Sequence, residues 1–254
     1  MALVFLSSEF NDRKKILTGI LWVSIISFMK KSNKKSQPPS SKNENDYDEN
    51  SESLKTTTRE KIVEAASIVF SNFPYYAASI RMIGKEAEVD HPLINYYFPT
   101  KADLFQEVLK ITIDEYYKAN VQWFDSLAAL GPEKGFSLYI DRFIDFALKR
   151  PKPMRIIALN LVQAKQSDII PGYQLLQQFF LDAMQAFIKS VPVKGADFDI
   201  QMLTTNFNTM AINYLGASDY YAGILGMESQ SPEYLKWVKD SLTYIVLPWL
   251  KQLL

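Results

Sequence analysis

The chain has 254 residues, 48% hydrophobic and 22% charged, and its 28 basic and 28 acidic side chains cancel to a formal net charge of zero. This balance fits one large or two small domains with a buried core and excludes a disordered or fibrous chain. The absence of cysteine excludes disulfides, thiolate nucleophiles, iron–sulfur clusters and the common structural zinc sites, and a single histidine, His91, excludes multi-histidine metal centres. Zero net charge confines any nucleic-acid binding to a local patch, and nine glycines, about half the usual ~7% share, favour helices over turn-rich sheet.

The first apolar run is Ile16 to Phe28 (ILTGILWVSIISF), behind Arg13, Lys14 and Lys15. It is shorter than the ~20 residues that cross ~30 Å of hydrocarbon, so stable membrane insertion is not expected. Basic-then-apolar order imitates a signal peptide, yet Met29, Lys30 and Lys31 follow instead of a small-residue cleavage site. Three readings stay open: Met29 is the true start, residues 1–28 form a peripheral amphipathic extension, or they form an anchor or export signal. Residues 30–53 have no periodic hydrophobics and read as a disordered linker. Lys30, Lys31, Lys34 and Lys35 lead it, as a solvated tail or a phosphate-touching arm, and Glu44, Asp46, Asp48, Glu49 and Glu52 close it.

A helix is expected from Thr57, where Thr57 and Glu60 have capping-box spacing, to Asn72-Phe73-Pro74. Ile62, Val63, Ala66, Val69 and Phe70 form its apolar face. A short second helix follows from the N-cap Ser79 through Ile80, Ile83 and Ala87, and a third from the N-cap Asp90, with Pro92 tolerated in its first turn. Ile94 and Phe98 lie four apart and bury together, which turns Asn95, Tyr96 and Tyr97 largely outward. Two short helices joined by a tight turn, the second presenting polar and aromatic side chains, make a helix-turn-helix suited to a major groove ~12 Å wide.

The segments TREKIVEAASIVF, SIRMIGKEAEVD and LINYYFPTKADLF resemble the DNA-binding domain of TetR-family transcriptional regulators, in register over roughly Thr57 to Leu109. The stretch from Tyr96 to Phe105 is its most specific part. The resemblance implies a base-reading helix from Asp90 to Phe98, with His91, Pro92, Leu93, Asn95 and Tyr96 toward bases. It places Tyr97, Thr100 and Lys101 toward phosphates, and Ser79 and Arg81 at the edge of the groove. Arg and Asn suit guanine and adenine edges, and Tyr and Lys suit the backbone. Plainer alternatives remain: His91 as an exposed first-turn residue, one of Tyr96 and Tyr97 as a core aromatic, and Lys101 as a surface charge. The sequence departs from the family at the turn, where Glu88 replaces glycine, and at Pro74, Ala78 and Pro92, although Ser79 can cap in place of Ala78. The domain is not basic either: from Thr56 to Lys110, six cations face seven anions.

Beyond Ala102 there is no strand alternation, phosphate loop or repeat. Helices are expected at 103–126, 133–149, 153–166, 173–190, 197–222 and 232–252, with Pro248 bending or ending the last. Two apolar stripes, Leu203, Phe207, Met210 and Tyr214, then Leu235, Val238, Leu242, Ile245 and Trp249, have the spacing of packed helices. The resemblance implies a dimer interface there; intramolecular core is the alternative. It further implies a ligand pocket, with Trp123, Phe136, Tyr139, Phe143, Met154, Asn160, Gln163, Phe179, Phe180 and Asn206 as candidate lining, suited to a small hydrophobic effector. Ordinary core is again the alternative, and Asn206, Thr209 and Asn213 serve either pocket or interface.

The expected fold is all-α. Residues 1–55 form an extension and linker, 56–102 an N-terminal helix-turn-helix DNA-binding domain, and 103–254 a larger helical ligand-binding and dimerisation domain. The expected function is a cytoplasmic, homodimeric regulator, a ligand-responsive repressor on an inverted-repeat operator of double-stranded DNA. No cofactor, metal or catalytic residue is assigned. A helical ligand-binding or membrane-associated adaptor that has lost specific DNA binding is the rival. An enzyme is the weakest reading, because no nucleophile–base constellation stands out.

Overall fold

The computed structural model describes residues 48–161 and 170–254. These are helical, without a strand among them: α1 (Asp48–Asn72), α2 (Ile80–Ala87), α3 (His91–Tyr97), α4 (Lys101–Trp123), α5 (Gly131–Lys149), α6 (Pro151–Leu161), α7 (Tyr173–Ser190), α8 (Asp197–Gly216), α9 (Ser218–Leu225) and α10 (Pro232–Leu253). The apolar run at 16–28, the lysine cluster at 30–35 and Gln163 lie outside the described residues.

The first three helices and the start of α4 share one small core. Ile62, Ala66 and Phe70 of α1, Ile83 of α2, Ile94 of α3 and Leu104 and Phe105 of α4 are fully buried, and the Phe70 and Phe105 rings meet edge to face at 4.9 Å. Helix α1 begins at Asp48, so Thr57 lies well inside it and is not its cap. Residues 48–56 contain neither proline nor glycine, and their acidic residues suit the N-terminal end of the helix dipole. The Thr-x-x-acid box stands instead at Thr100. The Thr100 hydroxyl accepts the Asp103 N–H at 3.1 Å, and the Asp103 carboxylate accepts the Thr100 N–H at 3.0 Å.

In the larger part of the chain a cluster of rings fills the centre. Tyr116, Trp123, Phe143, Phe146 and Phe179 are buried and in mutual edge contact. Arg142 of α5 donates to the carbonyls of Trp123 and Asp125 at 2.6 and 2.8 Å, which satisfies the C-terminal end of α4. The inward seam of α10 is Tyr234, Val238, Leu242, Val246, Leu250 and Leu253.

One expectation is corrected and two are narrowed. The helix at 197–222 is two helices, broken at Ala217 (φ −115, ψ 37). At the break Gly216 packs so closely on α6 that a Cβ would lie 2.6 Å from the Met154 carbonyl. Pro248 does not end α10, which runs on to Leu253; Pro248 lies on its exposed side, where water can satisfy the carbonyl that it frees. Finally, Asp90 stands at the N-cap of α3 in extended conformation but makes no side-chain capping bond.

Candidate nucleic-acid interface and effector cavity

The helix-turn-helix is α2, the turn at Glu88-Val89, and α3. Its tightness has two local causes. The Val89 N–H returns to the Gly84 carbonyl at 3.0 Å and the Glu88 N–H to Lys85 at 3.4 Å, a Schellman closure that forces Glu88 into the left-handed region (φ 52, ψ 43). Gly84 supplies the clearance, since a Cβ there would meet the Val89 carbonyl at 2.9 Å. Ser79 caps α2 by accepting the Met82 N–H at 3.3 Å, which leaves its hydroxyl proton to donate elsewhere.

Helix α3 is held from beneath by Ile94, with Phe98 buried at its end, and it presents the rest. His91, Pro92, Leu93, Asn95 and Tyr96 are exposed, Tyr96 at 68%; Tyr97 is half-buried, and its ring meets that of Tyr96 edge to face at 5.1 Å. Arg81 is exposed on α2. Thr100 and Lys101 are differently placed. The Thr100 hydroxyl is committed to the capping box. The Lys101 ammonium donates to the carbonyls of Tyr75 and Ala78 at 2.9 and 3.0 Å and lies 4.3 Å from the centre of the Tyr75 ring. Partial burial lowers the Lys101 pKa from its usual value. Lys101 therefore ties the loop before α2 to α4, and only one of its three N–H donors remains for a phosphate.

Charge at this face is sparse. Arg59 pairs with Glu107 at 2.7 Å and Lys61 with Glu88 at 3.5 Å, whereas Arg81 and Lys85 carry no ion pair among the described residues.

A cavity of about 260 Å³ lies between the start of α5, the end of α7, α8 and the end of α10. Its walls include Phe136, Tyr139, Ala183, Phe187, Leu203, Thr204, Phe207, Asn208, Val246 and Leu250. Of the expected lining among the described residues, only Phe136 and Tyr139 face it. Trp123, Phe143 and Phe179 fill the ring cluster, and Phe180 packs against it, because aromatic contacts close that space completely. Met154 is buried where the α6 backbone meets Gly216 of α8, and Asn160 Oδ1 accepts the Tyr75 N–H at 3.0 Å. Asn206 is exposed and bonds back to the Met202 carbonyl at 2.8 Å.

The expected interface stripes are also redistributed. Leu203 and Phe207 wall the cavity, and Val238 and Leu242 belong to the inward seam, since a 3-4 repeat marks whichever face is buried first. Met210, Tyr214, Leu235 and Trp249 are half-buried, and Ile245 is exposed. The outward apolar side chains of these two helices are Phe198 and Met202 on α8 and Tyr244 and Ile245 on α10, exposed at 68, 37, 85 and 48%. Sequence reasoning missed Thr204 and Asn208, although two polar residues four apart on an apolar helix face were a visible signal. It could not see Ala183 or Val246, because a void is left where helix ends fail to meet.

No group of metal-ligating side chains is present among the described residues, and no described helix is long and apolar enough to cross a membrane.

Residues 62–108 match the model of the bacterial regulatory proteins of the tetR family. The chain is 32% identical over 65 residues to the protein named Probable HTH-type transcriptional regulator YttP of Bacillus subtilis (strain 168), an alignment covering 26% of this chain and 31% of that relative. A transcriptional regulator from Rhodococcus sp. Rha1 is 15% identical with a TM-score of 0.54, covering 75% of this chain and 96% of its own. A tetR-family transcriptional regulator from Streptomyces coelicolor is 13% identical with a TM-score of 0.51, covering 78 and 85%. At such identities the structures show likeness of fold, and the matched segment coincides with α1 to α4. Over residues 62–108 the chain is thus similar to the bacterial regulatory proteins of the tetR family, and its fold is like that of solved regulators at 13 and 15% identity.

Proposed function

We propose that the protein is a cytoplasmic, ligand-responsive repressor that binds an inverted-repeat operator as a homodimer. The observation that carries this reading is α3: a short helix anchored by one buried residue, Ile94, with His91, Pro92, Leu93, Asn95 and Tyr96 free to enter a major groove. Asn95 suits an adenine edge, and Arg81 a guanine or a phosphate at the rim. Tyr97, Thr100 and the remaining donor of Lys101 lie on the side where the backbone would pass.

Dimerisation is supported by the outward apolar residues of α8 and α10, which a second copy would cover. Two copies set two α3 helices against one face of DNA, and each head alone has few cations with which to bind. A dimer seated on the operator excludes other proteins from it. Ligand response is supported by α8, which walls the cavity on one side and carries Phe198 and Met202 on the other.

Fluorescence anisotropy of the full chain on DNA from upstream of its own gene tests the reading, with Tyr96→Ala and Lys101→Ala made separately. Tyr96→Ala is expected to weaken binding at least tenfold, the worth of ~1.4 kcal/mol of lost contact, with thermal stability unchanged. Lys101→Ala is expected to lose binding together with about 1–3 kcal/mol of stability, since it frees two carbonyls. Equal binding of wild type and Tyr96→Ala to all fragments contradicts the assignment of α3.

A further inference from the structure

The hydroxyl protons deep in the cavity are already committed. Tyr139 donates its hydroxyl to Asn120 Oδ1 at 2.8 Å. Asn208 accepts from the Tyr116 hydroxyl at 3.2 Å and donates to the Thr204 carbonyl at 2.8 Å, and the Thr204 hydroxyl donates to the Ile200 carbonyl at 2.9 Å. No charged side chain lines the space, and apart from Ser190 at the mouth its other side chains are aromatic and aliphatic. Its mouth lies where the half-buried Pro132 and the exposed Ser190 and Pro192 meet water. Burial drives the Tyr139 hydroxyl pKa well above its usual value, so that wall stays neutral.

We infer that this cavity binds an uncharged, chain-like or ring hydrocarbon body with at most one neutral polar end, left at the mouth beside Ser190. A polar atom carried deep inside would find the hydroxyl protons of Tyr139 and Thr204 committed and only the second N–H of Asn208 left to donate, so it would lose more bonds to water than the wall replaces. A carboxylate would meet no cation in the wall. Size follows from volume: about 260 Å³ divided by the ~30 Å³ that a water-sized group occupies is room for roughly nine heavy atoms. As an effector site the cavity rests on the regulator reading above; as a binding site it does not, and binding is measured without DNA.

The experiment is titration calorimetry of the full chain with the alcohols from 1-hexanol to 1-dodecanol, with octanoate beside 1-octanol. Affinity is expected to rise about fourfold per methylene, then to stop rising near 1-octanol, the signature of an enclosed space. Octanoate is expected to bind at least tenfold more weakly than 1-octanol. Ala183→Phe, which fills the cavity from α7, is expected to abolish binding. Leu203→Ala, which enlarges it from α8, is expected to move the plateau by roughly two carbons and keeps the inference testable if Ala183→Phe fails to fold. Octanoate binding as tightly as 1-octanol overturns the uncharged class. A plateau unmoved by Leu203→Ala, or the absence of saturable binding, overturns the site. Loss of operator binding by the wild-type protein strikes the regulator reading and leaves these results standing.

Discussion

Glu88 pays for the tightness of the turn. It occupies a left-handed conformation that favours glycine, and its partner Lys61, at 3.5 Å, is an exposed ion pair of little worth. Glu88→Gly relieves strain of about 1–2 kcal/mol and adds unfolded-chain entropy of about 0.4–1 kcal/mol. A net gain of about 0.5–1 kcal/mol is expected, read as a higher denaturation midpoint at an unchanged slope. The same change removes an anion close to the reading helix, so tighter DNA binding is expected with it. A stabilised variant that binds DNA no better would mean that the phosphates pass far from the turn. At this scale the sequence was legible in part: Ser79 as a cap and Glu88 as a strained residue follow from residue type and position. The engagement of Lys101 does not, because its partners are backbone carbonyls more than twenty residues away.

Elements were legible wherever a pattern was local. The apolar spacing of Ile62, Ala66, Val69 and Phe70 placed α1, and Ile94 with Phe98 placed the buried side of α3. What misled was local pattern without its neighbours. Thr57-x-x-Glu60 and Thr100-x-x-Asp103 carry the same capping signal, and only the second begins a helix, because nothing upstream of Thr57 breaks α1. Between Gly216 and Ser218 the break depends on α6 packing against Gly216, which no periodicity encodes. Helix α6 also carries the buried Asn160, whose side chain accepts the Tyr75 N–H and donates to the Ile156 carbonyl. Arg155 beside it donates to the Ser71 carbonyl at 2.9 Å. Asn160→Leu is expected to cost about 1–3 kcal/mol, the price of a buried donor left unpaired. Hydrogen exchange is expected to quicken at Tyr75 before it does in α10; uniform quickening would mean that α6 supports the body and not the head.

Over the whole molecule, the candidate DNA face is weakly charged and the candidate partner face is apolar, so affinity depends on pairing. Arg81, Lys85 and the free donor of Lys101 from each of two heads give six phosphate contacts, and a slope of log K against log salt of about −5 is expected. A much steeper slope would point to further cations, such as Lys30, Lys31, Lys34 and Lys35. Tyr244→Glu sets a charge on the most exposed apolar side chain of α10 and is expected to yield monomers in sedimentation, with the tight DNA complex lost and α3 untouched. The central claim, that two α3 helices read two half-sites together, is tested most directly by hydroxyl-radical footprinting of the full chain on its tightest-binding fragment. The expected result is two protected patches on one face of the duplex, related by two-fold symmetry over an inverted repeat and centred ~34 Å or a multiple of it apart. A single asymmetric patch at saturation would contradict it.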